Sequence, residues 1–155
     1  MVVTGLDWQT FRDGLVRSIA SLPNSGALIV GDEERTECFV QFMLDYDHVV
    51  AEVASGMDPW DRPNLTEHEA AALEKLGWLP PPELQEHCNH GVKIAWPAPS
   101  AEYRRVADMS VAALRDVFGI PSPDSLVYKA FVVSATGDPL QMPRLGIPYR
   151  PDWRS

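Results

Sequence analysis

The chain has 155 residues, 45% apolar and 23% charged, and 13 Lys plus Arg against 22 Asp plus Glu give a formal charge of −9. That length supports one domain with its own core, and the composition excludes a disordered tail, a collagen-like fibre and a coiled coil. A surface this acidic repels phosphate backbones and anionic bilayers, so neither nucleic acid nor membrane is expected as a partner. No basic leader, no apolar run long enough for a membrane span and only two cysteines, Cys38 and Cys88, point to a cytoplasmic protein without a disulfide framework.

Trp8, Phe11, Leu15, Ile19 and Leu22 recur every three or four residues, the spacing of one helical face, with Asp7 as N-cap and Pro23-Asn24-Ser25-Gly26 as the stop. Gly14 inside that helix costs about 1 kcal/mol relative to Ala. Three strands are predicted next. Ala27-Leu28-Ile29-Val30 is a buried run closed by a turn at Gly31-Asp32-Glu33-Glu34. Cys38 to Leu44 sets Cys38, Val40, Phe42 and Leu44 against Phe39, Gln41 and Met43 on the other side. After Asp45-Tyr46-Asp47, His48 to Ala54 sets Val49, Ala51 and Val53 against His48, Val50, Glu52 and Ala54. Short links between consecutive strands predict an antiparallel meander.

The loop 55–64 leads to Thr66-Glu67-His68-Glu69, a capping box that opens a second helix with Ala70, Leu73 and Leu76 on its stripe and Gly77 at its end. Pro80-Pro81-Pro82 is a stiff spacer, and Gly91 to Trp96 is a fourth strand with Val92, Ile94 and Trp96 inward. Ser100 caps a long helix whose stripe is Tyr103, Val106, Ala107, Ser110, Leu114, Val117 and Phe118, ended by Gly119 and Pro121. The β-branched content of Leu126 to Val133 favours a strand over a short helix capped by Asp124 and Ser125. From Gly137 on, Pro139, Pro143, Pro148 and Pro151 bar a regular element.

The expectation is an α+β sandwich of one antiparallel sheet with flanking helices over residues 1–136, followed by a Pro-rich extended arm, 137–155. Its core would hold Trp8, Phe11, Leu15, Val40, Phe42, Val53, Leu73, Leu114 and Phe118. The arm carries Leu140, Met142, Leu145, Ile147, Tyr149 and Trp153, too much apolar surface to float, so it should lie over the protein's own surface or a partner subunit.

Catalytic signatures are scarce. There is no Gly-x-Ser-x-Gly elbow, no Gly-x-Gly-x-x-Gly loop and no Gly-Lys-Ser/Thr sequence. His87-Cys88-Asn89-His90 offers three zinc ligands where a structural site needs four, and Cys38, His48 and His68 do not pair with one another at ligand spacing. A polar loop is the plainer reading, with a small zinc protein or enzyme on His87, Cys88 and His90 as the alternative. Asp58 and Asp61 flank Trp60 in a loop, where a Trp tucked onto the core is commoner than a cation or sugar site. No catalytic constellation of nucleophile, base and acid, no metal and no cofactor is expected.

What stands out is apolar excess. Phe39, Met43 and Val50 fall on the strand faces opposite the core, where a one-sided sheet carries polar residues. They are the candidate peptide-binding residues unless another part of the chain, or a second copy, covers them.

Several strings resemble one family: Phe39-Val40-Gln41-Phe42, Ala51-Glu52-Val53, Leu65-Thr66, Leu76-Gly77-Trp78, Leu114 through Pro121, and Leu126 to Phe131. Together they are similar to the actinobacterial TY-Chap proteins, grouped with type III secretion chaperones and YbjN-like domains. The resemblance implies a non-enzymatic, frequently homodimeric peptide-binding chaperone with an α-β-β-β-α-β-β-α plan, holding a segment of a client protein. The sequence departs from that plan in having one clear strand between the second and third helices, and in the arm. A purely structural dimeric adaptor is the further alternative.

Overall fold

The computed structural model describes residues 6–55, 65–81, 89–134 and 136–153. Helix α1 (Trp8–Ala20) opens as its sequence dictates: the Asp7 carboxylate accepts from the Thr10 backbone N–H at 2.7 Å. Hydrogen bonding from the Thr10 backbone and side chain holds its pKa below the ordinary value. Phe11, Leu15 and Ile19 are buried on one face. Trp8, expected in the core, is only partly buried. It sits on the first turn, where its ring meets Phe11 edge-on at 5.9 Å and its Nε1–H donates to Pro121 O at 3.4 Å.

Strands β1 (Gly26–Asp32), β2 (Phe39–Asp45) and β3 (His48–Val53) form the expected meander, followed by α2 (Glu67–Leu76) and β4 (His90–Ala95). Helix α3 (Ser100–Ala112) runs on into a π-helical turn, Ala113–Val117, and β5 (Leu126–Val132) comes after it. The strand order is β4-β3-β2-β1-β5, with every neighbouring pair antiparallel. One row crosses the whole sheet: Ala130, Leu28, Phe42, Ala51 and Val92 stand opposite one another in turn. This row joins Phe11, Leu15, Leu73 and Leu114 of the helices in one core. The fold is α+β.

Four local expectations change. Gly31 and Asp32 continue β1 rather than closing it, because each still has a ladder partner in β5, Val127 and Leu126. Asp32 serves the turn from inside the strand, accepting the N–H groups of Glu34 and Arg35, both at 2.9 Å, and the Ser125 hydroxyl at 3.1 Å. Cys38 precedes β2 rather than starting it. Trp96 is 42% exposed, because β4 stops at Ala95 and the chain leaves the sheet at Trp96-Pro97. The N-cap of α3 is Pro99, which makes no side-chain cap, and Ser100 is the first helical residue. By contrast, Thr66 and Glu69 complete the capping box at 2.9 and 3.1 Å, and Gly77 ends α2 at φ 110°.

Of the segment Leu126 to Val133, Leu126–Val132 is a strand after α3, as expected, and it takes the edge beside β1. Among the described residues β4 alone lies between α2 and α3. The arm then runs along β5. Val132 N–H donates to Asp138 O (2.8 Å), Leu140 N–H to Ala130 O (2.9 Å), Tyr128 N–H to Pro148 O (3.0 Å) and Arg150 N–H to Tyr128 O (2.8 Å). Between these two stretches the chain crosses the helical side, where Leu145 is fully buried and Met142 N–H donates to the Tyr128 hydroxyl at 2.7 Å. There lies the reason for Gly14: a Cβ on it would collide with the carbonyl oxygen of Arg144. At the opposite edge Leu79 pairs with Gly91 through two backbone bonds of 3.0 and 3.1 Å.

Candidate functional site

Strand alternation fixes which side chains leave the core. Ala27, Ile29 and Gly31 of β1, Phe39, Gln41 and Met43 of β2, Val50 and Glu52 of β3, and Val127, Lys129 and Phe131 of β5 share the face turned away from the helices. That face divides into two halves.

At the end near the β2–β3 turn there is a hollow of about 230 Å³. Its apolar lining includes Ala27, Ile29, Met43, Val50, Phe131 and Val133, and Val133 is 51% exposed. Met43 stands directly between Ala27 and Val50 in the ladder. Gln41 and Glu52 supply the polar border, with the Gln41 amide donating to Glu52 Oε1 at 2.6 Å. Ligand clefts usually enclose about 300–1,000 Å³. This hollow is smaller, and its single polar pair is already engaged, so it suits an apolar side chain better than a cofactor.

At the other end the face is covered. A Cβ on Gly31 would come within 2.7 Å of both Phe39 Cβ and Trp153 Cη2, so the arm's Trp153 lies over Gly31 beside Phe39. Val127, opposite Gly31, is buried there, although neither Val127 nor Trp153 belongs to the core beneath the helices. The three candidate residues are therefore split. Met43 and Val50 meet in the open hollow, while Phe39 lies four residues along β2, about 13 Å away at ~3.3 Å per residue. Sequence reasoning missed Ala27, Ile29, Phe131 and Val133. The signals were present, in a β1 run apolar at both phases and in the alternation of Leu126 to Val133.

His87, Cys88, Asp58, Trp60 and Asp61 lie outside the described residues. Among those described, no group of three or more His, Cys, Asp or Glu is placed to hold a metal. His90 is buried at the start of β4, between α2 and the end of β3. Its Nε2 lies 3.0 Å from Glu74 Oε2 and its Nδ1 2.8 Å from Ser55 Oγ. A hydroxyl, an imidazole and a carboxylate thus stand within hydrogen-bonding reach of one another. The Ser55 oxygen is committed within the fold, however. It accepts the His90 backbone N–H at 2.6 Å and donates to Val53 O at 3.0 Å. The three side chains, with those backbone bonds, tie α2 and the end of β3 to β4. Cys38 is buried, and burial pushes its thiol up to about 11, away from thiolate chemistry.

No helix among the described residues is long and apolar enough to cross a membrane. No curated protein and no solved structure matches the chain. Residues 3–132 match the family described as "T3SS (YopN, CesT) and YbjN peptide-binding chaperone 3", TY-Chap3, a span that takes in all five strands and three helices and stops at the last residue of β5. The chain belongs to this family of peptide-binding chaperone domains.

Proposed function

We propose that the protein is a non-enzymatic chaperone that holds an extended apolar segment of a client protein across the outer face of the sheet, anchored in the hollow of Met43 and Val50. The observation that carries this reading is the hollow itself: apolar side chains from β1, β2, β3 and β5 converge on a face that no described element covers at that end. An apolar client side chain would displace water there at about 25 cal/mol per Å² of surface buried. The charge of −9 keeps a protein with such a face from associating nonspecifically, and it repels nucleic acid as a rival partner.

The test is fluorescence anisotropy with Ser/Thr-rich peptides carrying a single Leu, titrated into the wild type, Met43→Glu and Val50→Glu. A carboxylate in the hollow should weaken binding at least tenfold, about 1.4 kcal/mol, with unchanged circular dichroism. Equal affinity for all three proteins would overturn the assignment. The face has one competing use, as the contact of a homodimer. Sedimentation equilibrium decides between them: if Val50→Glu converts a dimer to a monomer, a second copy occupies the hollow.

A further inference from the structure

The covered half of the outer face carries an inference that rests on the reading above and extends it. Trp153 lies over a floor that has the features of a receiving slot. Gly31 has no side chain, and the space a Cβ would take is closed by the Cys38 carbonyl oxygen, Phe39 Cβ and Trp153 Cη2; Val127, its ladder partner in β5, is 1% exposed. Trp153 itself is 7% exposed, and neither it nor Val127 belongs to the main core, against which Phe39 also packs. Arg150 N–H donates to Tyr128 O, and the Arg150–Glu33 ion pair beside it is half exposed on both sides. Exposed pairs of that kind hold little. The slot and the open hollow lie on the same strands, Gly31 and Ala27 being four residues apart in β1, about 13 Å at ~3.3 Å per residue.

We propose that the slot over Gly31 is a second subsite of the client groove, specific for an aromatic side chain, and that Trp153 is its resident occupant in the free protein. The arm demonstrates which chemistry the slot accepts, since a Trp already fills it. A client segment with an aliphatic residue in the hollow and an aromatic residue four positions away, in extended conformation, spans both subsites once Trp153 swings out. The protein thus selects clients able to compete with its own Trp153, and it shields half of its apolar face when no client is present.

The experiment uses the single-Leu Ser/Thr-rich peptide and the same peptide with a Trp four positions before or after the Leu, titrated into the wild type and Trp153→Ala. In Trp153→Ala, one of the two-anchor peptides should bind at least tenfold more tightly than the single-Leu peptide; in the wild type that ratio should be several-fold smaller. A chain ended after Arg150 repeats the measurement should Trp153→Ala melt early. Equal binding of the single-Leu and two-anchor peptides by Trp153→Ala and the shortened chain, with single-Leu binding intact, would overturn the aromatic subsite and leave the hollow standing. Loss of single-Leu binding from the wild type would overturn the hollow and this inference together.

Discussion

Replacing Leu145 by Ala asks whether the arm is part of the folded unit or an appendage to it. Leu145 is fully buried in the core cluster, although it lies beyond the span matched by the family. The substitution removes Cγ and both Cδ atoms, which at about 0.8 kcal/mol per buried group is roughly 2.4 kcal/mol of transfer free energy. A rigid site would add a cavity term that takes Leu→Ala toward about 5 kcal/mol. Here the residue sits in a short 3-10 turn, Pro143–Leu145, followed by Gly146 at φ 73°. The Arg144 carbonyl already lies against Gly14, so the turn has little room to settle toward α1 and the net loss should be about 4 kcal/mol. Urea unfolding followed by tryptophan fluorescence and by far-ultraviolet circular dichroism measures it. The two probes should give one coincident transition, shifted to lower urea at unchanged slope. A loss below about 1 kcal/mol, the range of surface changes, would show that the arm contributes no core and that the fold ends with β5.

Phe42→Ala, at the centre of the row that crosses all five strands, should cost about 3–5 kcal/mol by the same assay; a loss under about 1 kcal/mol would mean that the two faces of the sheet are exchanged. Ser55→Ala leaves His90 short of a partner for both its ring and its backbone N–H, so about 1–3 kcal/mol should be lost. The wild-type Ser55 should resist a fluorophosphonate probe, and rapid labelling would restore the enzyme reading. The Cys38 thiol, raised from 9.0 to about 11 by burial, favours the protonated form in the folded state. Its stabilising contribution is complete below pH 9.0 and declines as pH rises from there toward 11, where the folded thiol itself ionises. Replacing Cys38 by Ala should flatten that part of the stability profile.

The elements were legible in the sequence wherever a local rule decides the outcome. The α1 stripe, the capping box at Thr66 and the left-handed Gly77 each need only near neighbours, and they stand as expected. Where distant parts of the chain decide, the sequence was silent. Gly31 reads as a turn residue until Trp153 is known to lie on it, and Gly14 reads as a flaw in a helix until Arg144 is known to cross it. The site was half legible for the same reason. Alternation placed Met43 and Val50 on the outer face, but nothing local tells that Phe39, on the same face of the same strand, lies beneath the arm.

The position of β5 also governs the order in which the protein can assemble during synthesis. The meander of β1 to β3 is local, but the other edge of β1 waits for a partner: Asp32 pairs with Leu126 and Gly26 with Val132. At 5–20 residues per second, the ribosome needs roughly 5–20 s to travel from the end of β1 to the start of β5. Throughout that interval Leu28, Ile29 and Val30 border an unpaired strand edge on a nascent chain, the kind of edge that recruits other strands. A domain of a peptide-binding chaperone family therefore passes through a stage in which its own sheet has an open edge, and slowing translation between residues 33 and 126 would lengthen that stage.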